Sequence, residues 1–356
     1  MLGFGPGKGL IGLDIGSSSI KVAEVKDTKK GYHLDNLGIQ PLPPEVIVDG
    51  ALMNGSAVVD AIQTLMGERK IKVKNVCTSV SGAAVIVKKI KIPAASDEEL
   101  AQSIQWDAAQ YVPFDINEVN LSYEKLSDAD SEGNMDVLMV AAKKDLINDY
   151  VAVIKEAGLN PVIMDVDSFA IQNMFEVNYP IQEMEVLALV NIGAGVININ
   201  VTKGGTVMFT RDVSAGGNQY TEEIQKQLGV SFEEAETLKI GGTGGADTEE
   251  VMRQEVQDVI RTASDTIATE IQRSLDFFTA TSAEDHISKI WVSGGTAKIS
   301  GLKEVIQERS GIPVEMINPF NNLSFDEKKF HLNFLEQIGP QAAVAVGLAL
   351  RRVGDK

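Results

Sequence analysis

The sequence is poor in the features that mark secreted, membrane-spanning or nucleic-acid-binding proteins. Its single cysteine cannot form an internal disulfide, which favours a reducing cytoplasm. Lys and Arg number 32 against 50 Asp and Glu, giving a formal net charge of −18. That excess argues against a nucleic-acid-binding face and against direct electrostatic docking on an anionic membrane.

Long hydrophobic runs are also missing. The first eight residues contain no apolar signal-peptide core. The longest apolar stretches, Val186–Ile199 and Ala342–Leu350, are shorter than the roughly 20 residues needed to span a bilayer. We therefore expect any membrane role to depend on a partner.

The overall composition is that of a globular protein. Apolar residues make up 44% and charged residues 23% of 356 residues, which is too apolar for a disordered chain. A chain of this length is expected to form two or more domains, each with its own core.

A strand–turn–strand pattern occurs twice. Gly9–Lys26 predicts a β-hairpin with a Gly/Ser turn, and Glu185–Val201 repeats this layout with a glycine-rich turn. Between them, the stretch 85–158 has the order β-α-β-β-α, and Ser96 with Glu99 forms a capping box at its first helix. The sequence therefore predicts two duplicated β-sheet cores and a compact inserted subdomain.

The turn of the first hairpin has the composition of a phosphate-binding loop. Glycine and small hydroxyl residues at Gly16, Ser17, Ser18 and Ser19 expose backbone N–H groups that can hold anionic oxygens. Asp14 at the strand end could bind Mg²⁺ directly or through water, and Lys21 could reach a phosphate. An ordinary tight hairpin explains this motif equally well when it is taken alone.

Two further strand-to-turn sites strengthen the phosphate hypothesis. The segment Asn191–Gly195 occupies the matching position of the second hairpin. In Val292–Ala297 a strand leads through two glycines into a helix. These glycines allow the backbone to approach a flat ligand such as adenine. Each motif is weak alone, but the three in this order are much more specific.

This order of motifs resembles the actin-like ATPase superfamily and, within it, the PilM family of type IV pilus assembly proteins. The resemblance covers essentially the whole chain. It rests on GLDIGSSSIK near the N-terminus, on MDVDSFAIQNMFE at 164–176, and on an insert at 86–160 that is similar to the subdomain called 1C. It implies an α/β, actin-like (ribonuclease H-like) two-lobed fold with duplicated β-sheet cores and an inserted 1C subdomain.

The resemblance also implies a division of the chain into four parts. Residues 1–85, 161–184 and 340–356 would form the core of the first lobe, 1A, and residues 86–160 the insert 1C. Residues 185–240 and 287–339 would form the core of the second lobe, 2A, and residues 241–286 the subdomain 2B.

The implied cofactors are ATP and Mg²⁺, with Asp14 as the metal-binding residue and no residue assigned a catalytic role. In the superfamily pattern, the segment 216–218 is a loop near the nucleotide, and Glu236 with Lys239 reaches the ribose and base. The full set of implied nucleotide-binding residues is Asp14, Gly16, Ser17, Ser18, Ser19, Lys21, Asn191, Gly193, Ala194, Gly195, Gly216, Gly217, Asn218, Glu236, Lys239, Gly294, Gly295 and Thr296.

One residue departs from the superfamily pattern. The second phosphate loop usually begins with Asp, whereas position 191 is Asn. Because an amide lacks the charge of a carboxylate, metal-assisted hydrolysis is weakened. We expect ATP·Mg²⁺ to bind tightly and to turn over slowly or undetectably.

The resemblance implies a cytoplasmic protein that is recruited to the inner membrane by binding the N-terminal cytoplasmic peptide of PilN, beside the insert. We expect Lys88, Lys89, Lys91 and the helix face Trp106–Tyr111 to line that site. Other pilus platform components and motor ATPases are further implied partners.

Two alternative functions remain at this point. An FtsA-like cell-division filament protein would end in a linker and an amphipathic membrane helix, which the sequence after Arg352 does not show. A small-molecule kinase of the same fold would need a catalytic carboxylate in a substrate cleft, and the altered second phosphate loop counts against it.

Overall fold

A computed structural model describes residues 9–241, 250–282 and 286–354. The first half builds five strands of a six-stranded sheet, in the order β10 (Asn160–Val166), β6, β1, β2 and β3, and the late short strand β16 (Ser324–Phe325) completes the sheet beside β3. Its elements and the short ones beside it are β1 (Leu10–Ile15), β2 (Ser19–Thr28), β3 (Gly31–Pro41), β4 (Ile47–Val48), β5 (Ala51–Leu52), α1 (Gly55–Glu68) and β6 (Asn75–Val80).

The predicted insert forms a three-stranded antiparallel sheet with one helix, and the chain then returns to the first sheet. The elements of this stretch are β7 (Val85–Pro93), α2 (Asp97–Ala109), a 3₁₀ turn at Ile116–Glu118, β8 (Val119–Lys125), β9 (Asn134–Lys143), α3 (Lys144–Glu156), β10 (Asn160–Val166) and α4 (Asp167–Asn178).

The second half builds a five-stranded sheet with the order β13-β12-β11-β14-β15. Its elements, and those that complete the chain, are β11 (Val186–Ile192), β12 (Ile197–Lys203), β13 (Thr206–Val213), α5 (Gly217–Leu228), α6 (Phe232–Lys239), α7 (Glu250–Thr281), β14 (Lys289–Ser293), a 3₁₀ turn at Thr296–Lys298, α8 (Leu302–Ser310), β15 (Val314–Met316), β16 (Ser324–Phe325) and α9 (Leu332–Leu350).

The two sheets share one topology, which confirms the predicted duplication. In each, an antiparallel meander of three strands is followed by two parallel strands, so that β1-β2-β3-β6-β10 corresponds to β11-β12-β13-β14-β15. The turns β1–β2 and β11–β12 therefore occupy equivalent positions in the two lobes. Below, the first and second lobes are the halves built on these two sheets.

Helices α4 and α9 pack between the two sheets. One apolar cluster joins residues of both helices to Ala23 and Leu37 of the first sheet and to Leu187 and Leu189 of the second. A Cβ at Gly347 would lie 1.7 Å from the carbonyl oxygen of Ala170, so only glycine permits this crossing of α9 over α4. This close approach accounts for the Ala- and Gly-rich sequence of α9.

The insert has its own core, but α3 does not belong to it. Residues of β7, α2, β8 and β9 form one apolar cluster, whereas Tyr150, Val153 and Ile154 of α3 pack with β1, β2 and α1 in the first lobe. The predicted 1C range of 86–160 therefore includes a helix whose buried face completes the first lobe. The capping box of Ser96 and Glu99 forms as predicted.

Three local predictions differ from the structure. The sequence predicts a last helix at Gln341–Arg351, whereas α9 already starts at Leu332, because it continues through Pro340 and buries Leu335 and Ile338 against a cluster containing Phe320. Strand β16 pairs with β3, so this piece of 287–339, predicted within 2A, joins the first sheet. The sequence predicts a helix at Thr221–Leu228, whereas α5 begins four residues earlier, at Gly217.

Two predicted segments lie outside the described residues: the Gly-rich N-terminal tail at 3–8 and the glycine-rich loop at 242–246. Within the described part of the chain, no helix combines the length and apolar character needed to cross a membrane. Cys77 is buried in the core, as expected for a packing residue.

Candidate functional site

A cleft of about 1340 Å³ opens between the two lobes, and the turns of both sheets line it. Most of the residues implied by the superfamily resemblance meet here, including all three loops. The implied residues that line the cleft are Asp14, Gly16, Ser17, Ser18, Ser19, Lys21, Asn191, Gly193, Ala194, Gly195, Gly217, Asn218, Glu236, Lys239, Gly294, Gly295 and Thr296. Gly216 does not line the cleft but lies directly behind it.

The first loop presents a carboxylate and an ammonium group side by side. Asp14 and Lys21 are cross-strand partners in β1 and β2, and Lys21 Nζ lies 3.2 Å from Asp14 Oδ2. Both side chains are largely buried, with 11% and 14% of their surface exposed. The Gly16 amide donates to the carbonyl of Ser19 and closes the turn. The arrangement offers a cation for a phosphate and a carboxylate for a metal ion.

The second loop begins with Asn191, which is held by hydrogen bonds at both ends of its amide. Its Oδ1 accepts from the hydroxyl of Ser293 at 3.2 Å, and its Nδ2 donates to Asn198 Oδ1 at 2.9 Å. The side chain of Asn198 in turn donates to Asp212 Oδ1 at 2.9 Å. Asn191 is therefore the first member of a network of hydrogen bonds that passes through Asn198, which also lines the cleft, to Asp212.

The third loop is anchored on the second loop and on α9. The amide of Gly294 donates to the carbonyl of Pro340 at 2.7 Å, and the hydroxyl of Thr296 donates to the carbonyl of Gly193 at 2.7 Å. Gly294 has a φ of +92°, which favours glycine, and a Cβ there would lie 2.2 Å from the carbonyl oxygen of Ile192. The two loops thus form one surface.

Gly216 sets the distance between α5 and the second loop. A Cβ at this position would lie 2.5 Å from the carbonyl oxygen of Gly193 and 2.6 Å from that of Ala194. The next two amides, of Gly217 and Asn218, donate to these same carbonyls at 3.0 and 2.8 Å. Gly216 therefore shapes the cleft by allowing close approach, without facing it.

Glu236 and Lys239 lie on α6 and form one hydrogen-bonded group with α5. Lys239 Nζ contacts Glu236 Oε1 and donates to the hydroxyl of Thr221 at 2.9 Å, and that hydroxyl also donates to Glu236. Lys239 is largely buried, whereas 36% of the Glu236 side chain is exposed. Glu236 is thus the member of the pair that is more open to a ligand.

Asp167 is a cleft residue that the sequence analysis did not single out. It is the first residue of α4 and accepts a hydrogen bond from the hydroxyl of Ser79 at 2.5 Å. Burial, and then the nearby charge of Asp14, raise its pKa to about 7. The available signal was its place within the segment 164–176, on which the family resemblance partly rests.

Lys298 is a second cleft residue that the analysis missed. It lies in the short turn after the third loop, and burial lowers its pKa. Among the described residues, no carboxylate lies within ion-pair distance of it, whereas Lys21 and Lys239 are both paired. A cation that lines a cleft and has no described carboxylate partner favours an anionic ligand.

The side chains that line the cleft fit a nucleotide with a bound metal ion better than they fit a metal ion alone. Within the described ranges, no group of three or more His, Cys, Asp or Glu residues is placed to hold a metal. Mg²⁺, however, is commonly bound by one or two carboxylates together with substrate phosphates and water. Asp14 is placed to supply such a carboxylate, and Asp167 lies close enough for the two charges to interact.

Comparisons with known proteins agree with this architecture. The family model described as type IV pilus assembly protein PilM matches residues 12–353. The chain belongs to the PilM family. A solved structure described as the PilM–PilN type IV pilus biogenesis complex is 28% identical, with a TM-score of 0.86 over 99% of this chain and 100% of that one.

More distant relatives share the actin-like fold. The cell division protein FtsA of Pseudomonas aeruginosa is 22% identical over 88% of this chain and 84% of its own length. The structure of MreB 5 of Spiroplasma citri bound to AMPPNP is 13% identical, with a TM-score of 0.50 over 96% of this chain and 95% of that one. At these identities the likeness concerns the fold alone.

The residues expected to line a peptide site in this PilM-family chain are only partly brought together. Lys88 Nζ lies 4.8 Å from the ring centre of Tyr111, so β7 and the end of α2 meet there. Lys89 and Lys91 form ion pairs with Asp136 and Asp130. Trp106 is 83% exposed and lies on the face of α2 opposite its buried residues.

Proposed function

We propose that this protein is an ATP-binding adaptor of the type IV pilus inner-membrane platform, which holds the N-terminal cytoplasmic peptide of PilN. The observation that carries this proposal is the convergence of three glycine-containing loops on one interlobe cleft in a PilM-family chain. The MreB 5 neighbour, which shares the fold, is described as bound to AMPPNP.

The nucleotide part of the proposal follows from the charges at the cleft. Lys21 and Lys298 supply positive charge, and the turn Gly16–Ser19 supplies backbone and hydroxyl donors for phosphate oxygens. Asp14 is the residue that would hold Mg²⁺, and the ion would supply positive charge to offset that of the phosphates. The exposed edge of Glu236 is available to the hydroxyls of a ribose.

Slow hydrolysis follows from the chemistry of Asn191. An amide cannot accept a proton from an attacking water, and this amide is already engaged by Ser293 and Asn198. The protein would therefore use ATP mainly as a bound ligand. Rapid phosphate release in a single-turnover experiment would contradict this part of the proposal.

The peptide part of the proposal rests on the PilM–PilN neighbour and on the outer edge of β7. Among the described strands, β7 pairs with β9 alone, so its other edge has no strand partner, although Thr210 of β13 already donates to the carbonyl of Val87. An extended peptide can add to such an edge through backbone hydrogen bonds. Near its middle, Lys88 and Tyr111 form a cation–aromatic pair that would contact peptide side chains.

Fluorescence anisotropy with a labelled PilN N-terminal peptide tests the adaptor role. Lys88→Glu, in β7, should weaken binding by about tenfold or more, since it removes the contact with Tyr111 and reverses a charge. Lys226→Glu makes the same charge change on the exposed surface of α5 and should leave binding unchanged. Absence of peptide binding by the unmodified protein would overturn the adaptor proposal. Deletion of 86–160 is a poorer test, because it removes α3 from the first lobe's core.

A further inference from the structure

Strand β13 of the second lobe contacts the beginning of the insert in the first lobe. Asp212 Oδ2 accepts the backbone amide of Gly82 at 2.7 Å, and the Thr210 hydroxyl donates to the Val87 carbonyl at 3.1 Å. Thr210 and Asp212 are two residues apart and therefore lie on the same side of the strand. Both of their partners lie at or just before the start of β7.

The turn held by Asp212 leads directly into β7. Gly82 has a φ of +91°, and its carbonyl accepts the amide of Val85, the first residue of that strand, at 3.0 Å. A shift of Gly82 therefore changes where β7 begins. Since β7 carries Lys88 and the sheet edge proposed for the peptide, such a shift moves that surface.

At its other oxygen, Asp212 is joined to the nucleotide cleft. Its Oδ1 accepts from Asn198 Nδ2, and Asn198 Oδ1 accepts from Asn191 Nδ2, both at 2.9 Å. Asn191 and Asn198 are buried, with 9% and 2% exposed, so water does not readily replace these bonds. An unbroken chain of hydrogen bonds thus runs from the second phosphate loop to Gly82.

The side-chain amides of Asn191 and Asn198 each accept one hydrogen bond and donate one, so donation in this network runs from Asn191 towards Asp212. A ligand that displaces Asn191 would leave Asn198 short of a partner unless Asp212 and Gly82 followed. Breaking a buried polar network is unfavourable, whereas moving it as a unit keeps every bond. The network therefore favours joint movement of the second phosphate loop and the turn before β7.

We propose that Asp212 is a positioning residue that couples occupancy of the nucleotide cleft to the placement of β7, and through it to affinity for the peptide. This inference rests on the proposed function, because it requires both ligands to bind. By linkage, ATP must change the affinity for the peptide by the same factor as the peptide changes the affinity for ATP.

Peptide and nucleotide titrations of the full chain, each with and without the other ligand, test the coupling. For the unmodified protein, we expect ATP·Mg²⁺ to change the peptide dissociation constant by about tenfold, within the usual range for allosteric coupling. Asp212→Leu has a similar shape, can accept neither bond and should bring this ratio close to one, while each ligand alone still binds.

Thr210→Val and Arg211→Gln complete the experiment. Thr210→Val keeps the side-chain shape, removes only the bond to Val87 and should also reduce the ratio, which covers the case in which Asp212→Leu does not fold. Arg211 is exposed on the opposite side of β13, and Arg211→Gln should keep the ratio of the unmodified protein.

The outcomes separate the inference from the proposed function. If the unmodified protein binds both ligands without mutual effect, or if the variants at 210 and 212 keep the full ratio, the coupling role of Asp212 is wrong and the proposed function stands. If it binds neither ligand, the proposed function is wrong, and the coupling role is wrong with it.

Discussion

Asn191 donates its side-chain amide to Asn198, and Asn198 donates its own amide to Asp212, both across 2.9 Å. The direction of donation is fixed by the carboxylate at the far end, which can only accept while it is ionised. The residue type at the phosphate loop is thereby linked to the residue type at position 212, 21 residues further along the chain.

Asn191→Asp alone should lower the free energy of unfolding, and adding Asp212→Asn should restore most of it. Asn191→Asp places a carboxylate oxygen against Asn198 Oδ1, and flipping Asn198 only moves the conflict to Asp212. We expect a loss of about 1–3 kcal/mol in the free energy of unfolding, as for other buried polar groups left without a partner. Adding Asp212→Asn allows every hydrogen bond between residues 191 and 212 to reverse its direction of donation. The double variant should therefore recover most of the lost stability.

Urea denaturation of the two single variants and the double variant checks this expectation. A double variant whose loss of stability equals or exceeds the sum of the two single losses would contradict the proposed polarity of the network.

Because the pKa of Asp167 is raised to about 7, the free energy of unfolding should depend on pH in the range below that value. From about pH 4 to pH 7 the unfolded chain loses this proton while the folded chain keeps it, so this group lowers stability as the pH rises. Asp167→Asn keeps the acceptor for Ser79 without the charge. Its stability relative to the unmodified protein should therefore be higher at about pH 8 than at about pH 5.

Asp128→Asn is the matched control for this pH effect. Asp128 is exposed, and its hydrogen bond with Lys125 lowers its pKa, so it is ionised at both pH values. Urea midpoints for this variant should differ from those of the unmodified protein by the same amount at the two pH values. If the change in urea midpoint caused by Asp167→Asn were also the same at the two pH values, that result would contradict the raised pKa of Asp167.

The ion pair between Arg351 and Asp165 ties the end of α9 to β10. Arg351 Nε lies 3.2 Å from Asp165 Oδ2, and the Asp165 side chain is only 5% exposed. Arg351→Met would leave a buried carboxylate without this cation and should cost about 3 kcal/mol. The adjacent Arg352 pairs with the exposed Asp27 at 3.7 Å, and Arg352→Met should cost well under about 1 kcal/mol.

Denaturation curves of the two arginine variants give the comparison directly. Equal effects of Arg351→Met and Arg352→Met would mean that burial of Asp165 does not govern the strength of its ion pair.

Gly216 should matter for ligand binding although it does not face the cleft. Gly216→Ala would push α5 away from the carbonyls of Gly193 and Ala194, and we expect nucleotide affinity to fall by about tenfold. Gly67→Ala in α1 meets open space and should leave affinity unchanged while stabilising the helix by about 0.5–1 kcal/mol. Calorimetric titration with ATP·Mg²⁺ distinguishes the two; similar affinities would contradict the close-approach role of Gly216.

Features governed by local pattern were predictable from the sequence. The duplicated hairpins follow from alternation around Gly/Ser turns, and the helix at 97–109 follows from the Ser96–Glu99 capping box. The loops could be brought to one cleft only through the superfamily resemblance, because no local rule places residues 14, 191 and 294 together.

Features that depend on distant partners were not predictable. The start of α9 before Pro340 is stabilised by packing against a cluster containing Phe320, whereas proline by itself indicates a helix boundary. Strand β16 pairs with β3, nearly 300 residues away, and is two residues long. Asp167 and Asp212 gain their character from burial beside other elements, which residue type alone does not show.

The most direct test of the central claim is a calorimetric titration of ATP, with and without Mg²⁺, into the unmodified protein and into Asp14→Ala. The account predicts saturable binding that Mg²⁺ strengthens in the unmodified protein, and loss of the Mg²⁺ effect in Asp14→Ala, since Asp14 is the carboxylate placed for the metal. A protein that binds no ATP, or a variant that keeps the full Mg²⁺ effect, would contradict it.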